Sequence, residues 1–155
     1  MKLFTRWFIV VSATLVGCYF VGKAGGFGGL LKYDSSYLGV VILVIGAAAT
    51  LYMGKISQAI DLANAEVDYP ATFKEEILKK IGVVRYAAEA CFDLGLLSTI
   101  IGLVLMFLGM GGDTNSLISA IKNGLSTAFI PTLVGMVANF ILRLQMFVAE
   151  YAIKD

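Results

Sequence analysis

The segments that decide the fold read LGLLSTIIGLVLMFLGM over Leu94–Met110 and GLSTAFIPTLVGMVANFILRLQMFV over Gly124–Val148. Each is long enough to cross the hydrocarbon core of a bilayer, which is roughly 30 Å thick and takes about 20 helical residues. A polar turn joins the two segments. Together they predict a pair of membrane-spanning helices.

Small and polar residues recur at helical spacing within this pair. The first helix carries a stripe of Gly95, Thr99, Gly102, Met106 and Gly109, and the second carries Ala128, Thr132, Gly135 and Asn139. Such stripes let two helix backbones approach closely in lipid. The alternative is that Thr99 and Thr132 line a water-accessible path, because a hydroxyl facing a cavity can bond a hydrated ion or a partner side chain. Ser98 and Thr127 are further pore-lining candidates.

Asn139 is the residue that close packing explains least. It lies in the cytoplasmic third of its helix, where a side-chain amide needs a hydrogen-bond partner. A polar pore or a neighbouring subunit would supply that partner, so Asn139 joins the candidate ion path.

The sequence at these residues resembles the MotA/TolQ/ExbB proton-channel family. LSTIIG at Leu97–Gly102 is similar to the family's L-G-T-V-x-G, and GLSTAFIPTLVG at Gly124–Gly135 is similar to its G-x-x-x-A-L-x-x-T-x-x-G. Thr99 and Thr132 then fall on the pore threonines of the family. The sequence departs from the pattern at Ser98, where the family often has Gly, and at Pro131, which should bend the helix beside Thr132.

The resemblance implies an assembly and a partner. Family members form a ring, usually a homopentamer, around two single-span partner helices of the MotB/TolR/ExbD type, each with one essential aspartate in the membrane. Thr99 and Thr132 of each subunit would surround that aspartate, and proton flow would turn the ring relative to the partner.

The composition agrees with an integral membrane protein and excludes several other classes. The 155 residues are 59% hydrophobic and 15% charged, with a mean hydropathy of +0.86. The net charge of +1 and the lack of a basic patch argue against nucleic-acid binding. With no histidine and only Cys18 and Cys91, neither a histidine-based catalytic site nor a metal centre is expected. The sequence predicts no enzyme activity and no cofactor.

Two further apolar segments precede the pair, at about residues 7–22 and 37–53. The first could be a signal peptide, because Leu15–Cys18 resembles a lipoprotein cleavage box, but the apolar segments that follow it favour a first membrane span. A Gly-rich connector, Lys23–Ser36, separates the two. The expected fold is all-α: one membrane domain over residues 1–155, with four transmembrane helices at about 7–22, 37–53, 94–110 and 124–148, assembling as a ring.

The segment Lys55–Asp93 is polar, with seven acidic and five basic residues. Its periodic part, Phe73–Phe92, predicts an amphipathic helix that runs straight into the third span, after a break near Pro70. The expected packing residues of this helix are Ile77, Ile81, Val84 and Ala88. Its charges indicate a solvated face, and a docking surface for a cytoplasmic partner is the alternative.

Three charged residues mark the expected cytoplasmic mouth of the path. Glu89 and Asp93 lie one turn apart at the start of the third span, where a ring of carboxylates would attract protons or cations. Arg143 lies near the same level of the fourth span and is a possible partner. A structural ion pair is an equally good interpretation.

Basic residues predict the orientation. With the N-terminus inside, nine of the twelve lie on the cytoplasmic side and three outside. Both termini are then cytoplasmic, in a bacterial inner membrane. This layout resembles the MotA branch, whereas the TolQ and ExbB branch has three spans and an external N-terminus. The short cytoplasmic segment, about 39 residues, indicates a compact relative, phage-encoded or from a minimal bacterial system.

No Asp or Glu lies inside any of the four apolar segments. Proton movement across a bilayer normally uses a titratable group at membrane depth, so the partner must supply it. The competing hypothesis is a structural or holin-like oligomer in which the threonines only pack helices. A small-molecule transporter fits poorly, because the chain has no inverted repeat and no intramembrane charge. The choice between protons and sodium ions depends on the partner.

Overall fold

The protein is all-helical in its computed structural model, which describes residues 3–23, 37–63, 71–110 and 114–154. The helices are α1 (Leu3–Lys23), α2 (Leu38–Ala63), α3 (Ala71–Leu108) and α4 (Thr114–Lys154). The predicted Gly-rich connector, apart from Lys23, and the predicted break at Pro70 lie outside the described residues.

α3 is continuous across the boundary between polar and apolar sequence. The expected amphipathic helix Phe73–Phe92 runs directly into the third apolar segment, which confirms that prediction. At 38 residues α3 extends over about 57 Å, well beyond a hydrocarbon core. α4, with 41 residues, begins before and ends after the predicted segment Gly124–Val148.

Among the described residues, three helices are long and apolar enough to cross a membrane. They are Leu38–Ala63, Thr72–Leu108 and Leu117–Ile153. Only 33%, 22% and 28% of their most apolar windows are buried within the chain, so most of this apolar surface must face lipid or other subunits. The apolar part of α1 in the described residues, Leu3–Gly17, is shorter. The described residues therefore contain three candidate spans, and the topology with four spans remains a prediction.

One hydrophobic core joins all four helices at one end of the bundle. Its buried residues are Leu3, Ala49, Met53, Ile56, Ile60, Ile77, Ile81, Val84, Ala88, Leu142, Met146 and Ala149. The expected packing face of α3 (Ile77, Ile81, Val84 and Ala88) is thereby confirmed. The start of α1, the start of α3 and the ends of α2 and α4 share this end. That this end is cytoplasmic stays a prediction.

α1 is attached to α2 by two contacts that the sequence analysis did not identify. The Asp61 carboxylate accepts hydrogen bonds from the backbone N–H groups of Leu3 at 2.8 Å and Phe4 at 2.7 Å. The first N–H groups of a helix have no partner within the helix, so this carboxylate caps α1 from a distance. Nearby along α2, Gly54 lies under the Trp7 ring, where an added Cβ would be 2.6 Å from a ring carbon.

Asp61→Ala should destabilise the docked position of α1. The change leaves two helix N–H groups without acceptors, and loss of a helix N-cap costs about 1 kcal/mol. Thermal unfolding in detergent micelles measures the effect. Glu75→Ala removes an exposed carboxylate from α3 and is the matched control. Equal melting temperatures for the two variants would contradict a capping role for Asp61.

Candidate functional site

The two small-residue stripes face each other along the antiparallel pair α3 and α4. A Cβ added to Gly102 would lie 2.5 Å from the backbone nitrogen of Ala128 and 2.6 Å from the carbonyl oxygen of Gly124. A Cβ added to Gly135 would lie 2.5 Å from the carbonyl oxygen of Cys91. Only glycine allows the two backbones to approach this closely.

This close approach brings Thr99 and Thr132 into direct contact. Their hydroxyl oxygens lie 2.7 Å apart, and both side chains are half-buried. The Thr132 oxygen is also 2.7 Å from the carbonyl oxygen of Gly95 and 2.8 Å from that of Ala128. The Thr99 oxygen is 3.4 Å from the Gly95 carbonyl. Two hydroxyls that are separate in sequence thus form one polar site on α3 and α4.

Counting hydrogens assigns a direction to these bonds. A threonine hydroxyl has one hydrogen and two lone pairs. Because Thr132 has two carbonyl acceptors at short distance, its hydrogen goes to one of them, and Thr99 then donates to Thr132. This arrangement leaves the lone pairs of Thr99 able to accept a hydrogen bond from a group outside the chain.

The threonine pair lies on a flank of α3 and α4 that α2 does not cover. α2 packs on the other flank, where the Cys91 thiol donates to the Ile42 carbonyl at 3.8 Å and an added Cβ on Gly46 would lie 3.5 Å from Ala138. We call the flank that α2 leaves uncovered the threonine face. Around the pair it carries the exposed side chains of Leu96, Leu103, Leu125, Phe129 and Met136.

Asn139 follows the same flank of α4, two turns beyond Thr132. Its side-chain N–H donates to the carbonyl oxygen of Ala88 in α3 at 2.8 Å. The expectation that a pore or a neighbouring subunit would supply its partner is therefore wrong for this N–H, because the chain's own backbone accepts its hydrogen bond. A place for the half-buried Asn139 along an ion path stays a prediction.

Ser98 and Thr127 lie within the helix pair and are almost completely buried, at 0% and 1% exposure. The Ser98 hydroxyl donates to the carbonyl oxygen of Thr127 at 2.8 Å. Within one chain this position favours a packing role. Their assignment as pore-lining residues stays a prediction.

The sequence of α2, α3 and α4 matches a known family. Residues 47–149, which are more than half of the chain, match the family model described as the MotA/TolQ/ExbB proton channel family. The chain belongs to the MotA/TolQ/ExbB proton channel family. The resemblance drawn from the motifs around Thr99 and Thr132 is thereby confirmed. No curated protein and no solved structure matches the chain.

The match to the MotA/TolQ/ExbB family includes the whole threonine pair and leaves α1 outside. It begins at residue 47, inside α2, and ends at residue 149, one residue before Glu150. The family match therefore covers α3 and nearly all of α4, the two helices that carry the candidate site. α1 lies outside the matched part, whereas Asp61, the α2 residue that caps it, lies inside the matched part.

Within the described part of the chain, the charged residues predicted at the cytoplasmic mouth form no ion pair with one another. Glu89, Asp93 and Arg143 are all exposed. Among the described residues, the ion pair that joins α3 to α4 is Arg85 with Glu150, at 2.6 Å. The suggested pairing of Arg143 with Glu89 or Asp93 is therefore wrong for the single chain. A role for the carboxylates in attracting cations stays a prediction.

Proposed function

We propose that this chain is a subunit of a proton-driven motor of the inner membrane, which forms a ring around a single-span partner that carries an aspartate in the membrane. The observation that carries the proposal is the hydroxyl pair Thr99–Thr132 on the uncovered threonine face. The family membership supports a proton channel. In that subunit, both termini of the chain lie in the cytoplasm.

The threonine face suits a helix that carries a carboxyl group. Its rim is apolar, as a transmembrane partner requires, and its centre has two hydroxyls at hydrogen-bond distance. A buried carboxyl group needs hydrogen-bond partners at this depth, because lipid supplies none. The chain has no acidic residue of its own in the apolar segments, so the titratable group comes from the partner.

The hydroxyl pair can serve both protonation states of a partner carboxyl. A protonated carboxyl donates to a free lone pair of Thr99, while Thr99 continues to donate to Thr132. When the carboxyl loses its proton, the Thr99 hydroxyl can rotate from Thr132 to the carboxylate. Thr132 keeps its bond to a backbone carbonyl in both states. One hydroxyl rotation thus changes the site from acceptor to donor.

In the ring, each threonine face is covered by the central partner, and the membrane potential supplies the driving force. When the subunits stand side by side in a ring, the threonine faces of all subunits point to one central axis, as in the homopentamer that the family resemblance implies. Each proton that crosses 100 mV of membrane potential makes about 2.3 kcal/mol available. This energy is sufficient to move the partner from one subunit's threonine pair to the next.

Ion flux tests this proposal against a structural or holin-like oligomer. The purified chain is placed in liposomes with and without a candidate partner, a single-span protein with one aspartate in its span that is sought among the neighbouring genes, and a membrane potential is applied. We expect proton uptake that requires both proteins, and replacing protons by sodium in the gradient identifies the ion. Assembled oligomers without flux in any combination would contradict the motor and support the structural alternative.

A further inference from the structure

Pro131 leaves a backbone acceptor in α4 without its usual helical donor. The residue is buried inside the helix, close to its middle. Proline has no N–H, so it cannot donate to the carbonyl of Thr127 four residues earlier, and its ring crowds that carbonyl. A carbonyl that loses its donor in a membrane-spanning helix is costly, unless another group replaces the donor.

Ser98 of α3 donates to this same carbonyl. Its hydroxyl oxygen lies 2.8 Å from the Thr127 oxygen, and both residues are almost completely buried. We infer that Ser98 is a positioning residue that replaces the donor missing at Pro131 and fixes this turn of α4 against α3. A side chain on one helix thus compensates for a proline on the other.

Ser98 and Pro131 each lie beside one of the two paired threonines. Ser98 directly precedes Thr99, and Pro131 directly precedes Thr132. The Ser98 hydroxyl donates to the Thr127 carbonyl, to which Pro131 cannot donate. The Thr99 hydroxyl bonds the hydroxyl of Thr132, the residue after Pro131, at 2.7 Å. The turn of α4 that Ser98 holds is therefore the turn that carries Thr132, so Ser98 sets the approach of the two threonine hydroxyls.

A double-mutant cycle separates this role from simple packing. We expect Ser98→Ala to raise the unfolding equilibrium constant in detergent micelles by about tenfold, equivalent to about 1.4 kcal/mol, because a buried carbonyl loses its donor. In a Pro131→Ala chain the new backbone N–H can donate to Thr127, so the same change should have a much smaller effect. Equal effects of Ser98→Ala in both backgrounds would overturn the inference.

A matched control and a rescue variant complete the double-mutant cycle. Ser126→Ala is the matched control, since it removes an exposed hydroxyl that bonds the Lys122 carbonyl of its own helix at 2.8 Å. Its effect should be small and should not depend on Pro131. If Ser98→Ala alone fails to fold, Ser98→Ala with Pro131→Ala should restore folding, and a failure to restore it would also count against the inference.

Cross-linking tests the positioning part directly. Thr99→Cys and Thr132→Cys are introduced together in a Cys18→Ser, Cys91→Ala chain, and the rate of intramolecular disulfide formation is measured. We expect Ser98→Ala to slow the reaction severalfold and Pro131→Ala to restore it. An unchanged rate in Ser98→Ala would show that Ser98 does not set the approach of the threonines.

The importance of this approach for ion movement rests on the proposed function, but neither measurement does. Both use the chain without a partner and without a gradient. An absence of ion flux would therefore refute the motor and leave the hydrogen-bond replacement to be decided by the cycle.

Discussion

Gly102→Ala should severely destabilise the pair of helices α3 and α4. The added Cβ would lie 2.5 Å from the Ala128 nitrogen and 2.6 Å from the Gly124 oxygen, which are both backbone atoms. A backbone cannot rotate away as a side chain can, so the helices must separate. Overpacking a well-packed interface costs about 1–3 kcal/mol and occasionally more, and we expect the upper end of this range.

The same helix contains a matched control. A Cβ added to Gly82 meets nothing within 4 Å, so Gly82→Ala should be neutral or stabilise α3 by up to about 1 kcal/mol through its higher helix propensity. Thermal unfolding in detergent micelles compares the two variants. Similar melting temperatures for Gly102→Ala and Gly82→Ala would show that α3 and α4 do not approach closely at Gly102.

The facing of the two stripes could be predicted from the sequence, because it depends only on helical periodicity and on the antiparallel path of the chain. Thr99 and Thr132 lie on stripes of small residues, and small residues bring helices together. The pairing of the two hydroxyls follows from this contact. The continuous helix through Phe92 was predictable for the same reason, since its apolar positions keep a helical period.

Contacts that depend on the exact register of distant helices could not be predicted. Asp61 caps a helix that begins almost sixty positions earlier, and Asn139 finds a backbone carbonyl in α3. A carboxylate or an amide in a sequence shows only that a partner is needed. Which partner it finds depends on how far each helix slides and rotates against its neighbour.

The two departures from the family pattern illustrate this limit. Ser98 and Pro131 looked like independent exceptions in the sequence, 33 positions apart. In the structure both act on the Thr127 carbonyl, one by failing to donate and the other by donating. The apolar segment Gly124–Val148 is shorter than α4, because hydropathy detects only the apolar part, whereas the helix extends over Thr114–Lys154.

Thr132→Val should abolish most ion flux and leave the fold intact. Valine keeps the shape of threonine and removes the hydroxyl, so Thr99 loses its partner and the site loses one of its two polar groups. While the partner carboxyl is protonated, the Thr99 hydroxyl then lacks the acceptor that Thr132 supplied; leaving a buried donor unsatisfied costs about 1–3 kcal/mol, and tenfold corresponds to about 1.4 kcal/mol. We therefore expect flux to fall by about 10-fold to 100-fold, with a loss of stability near 1 kcal/mol.

The pattern across variants distinguishes an ion path from helix packing. Thr132→Ser keeps the hydroxyl and should retain flux, whereas Ser126→Ala removes a hydroxyl from another side of α4 and should conduct as the unaltered chain does. Thr99→Val combined with Thr132→Val should lose less than the sum of the separate losses, because the hydroxyls act as one unit. Liposome flux with the single-span partner measures these four variants and Thr99→Val alone. If Thr132→Val conducts normally while Gly102→Ala fails to fold, the stripes serve packing alone, and the hydroxyls have no part in the path.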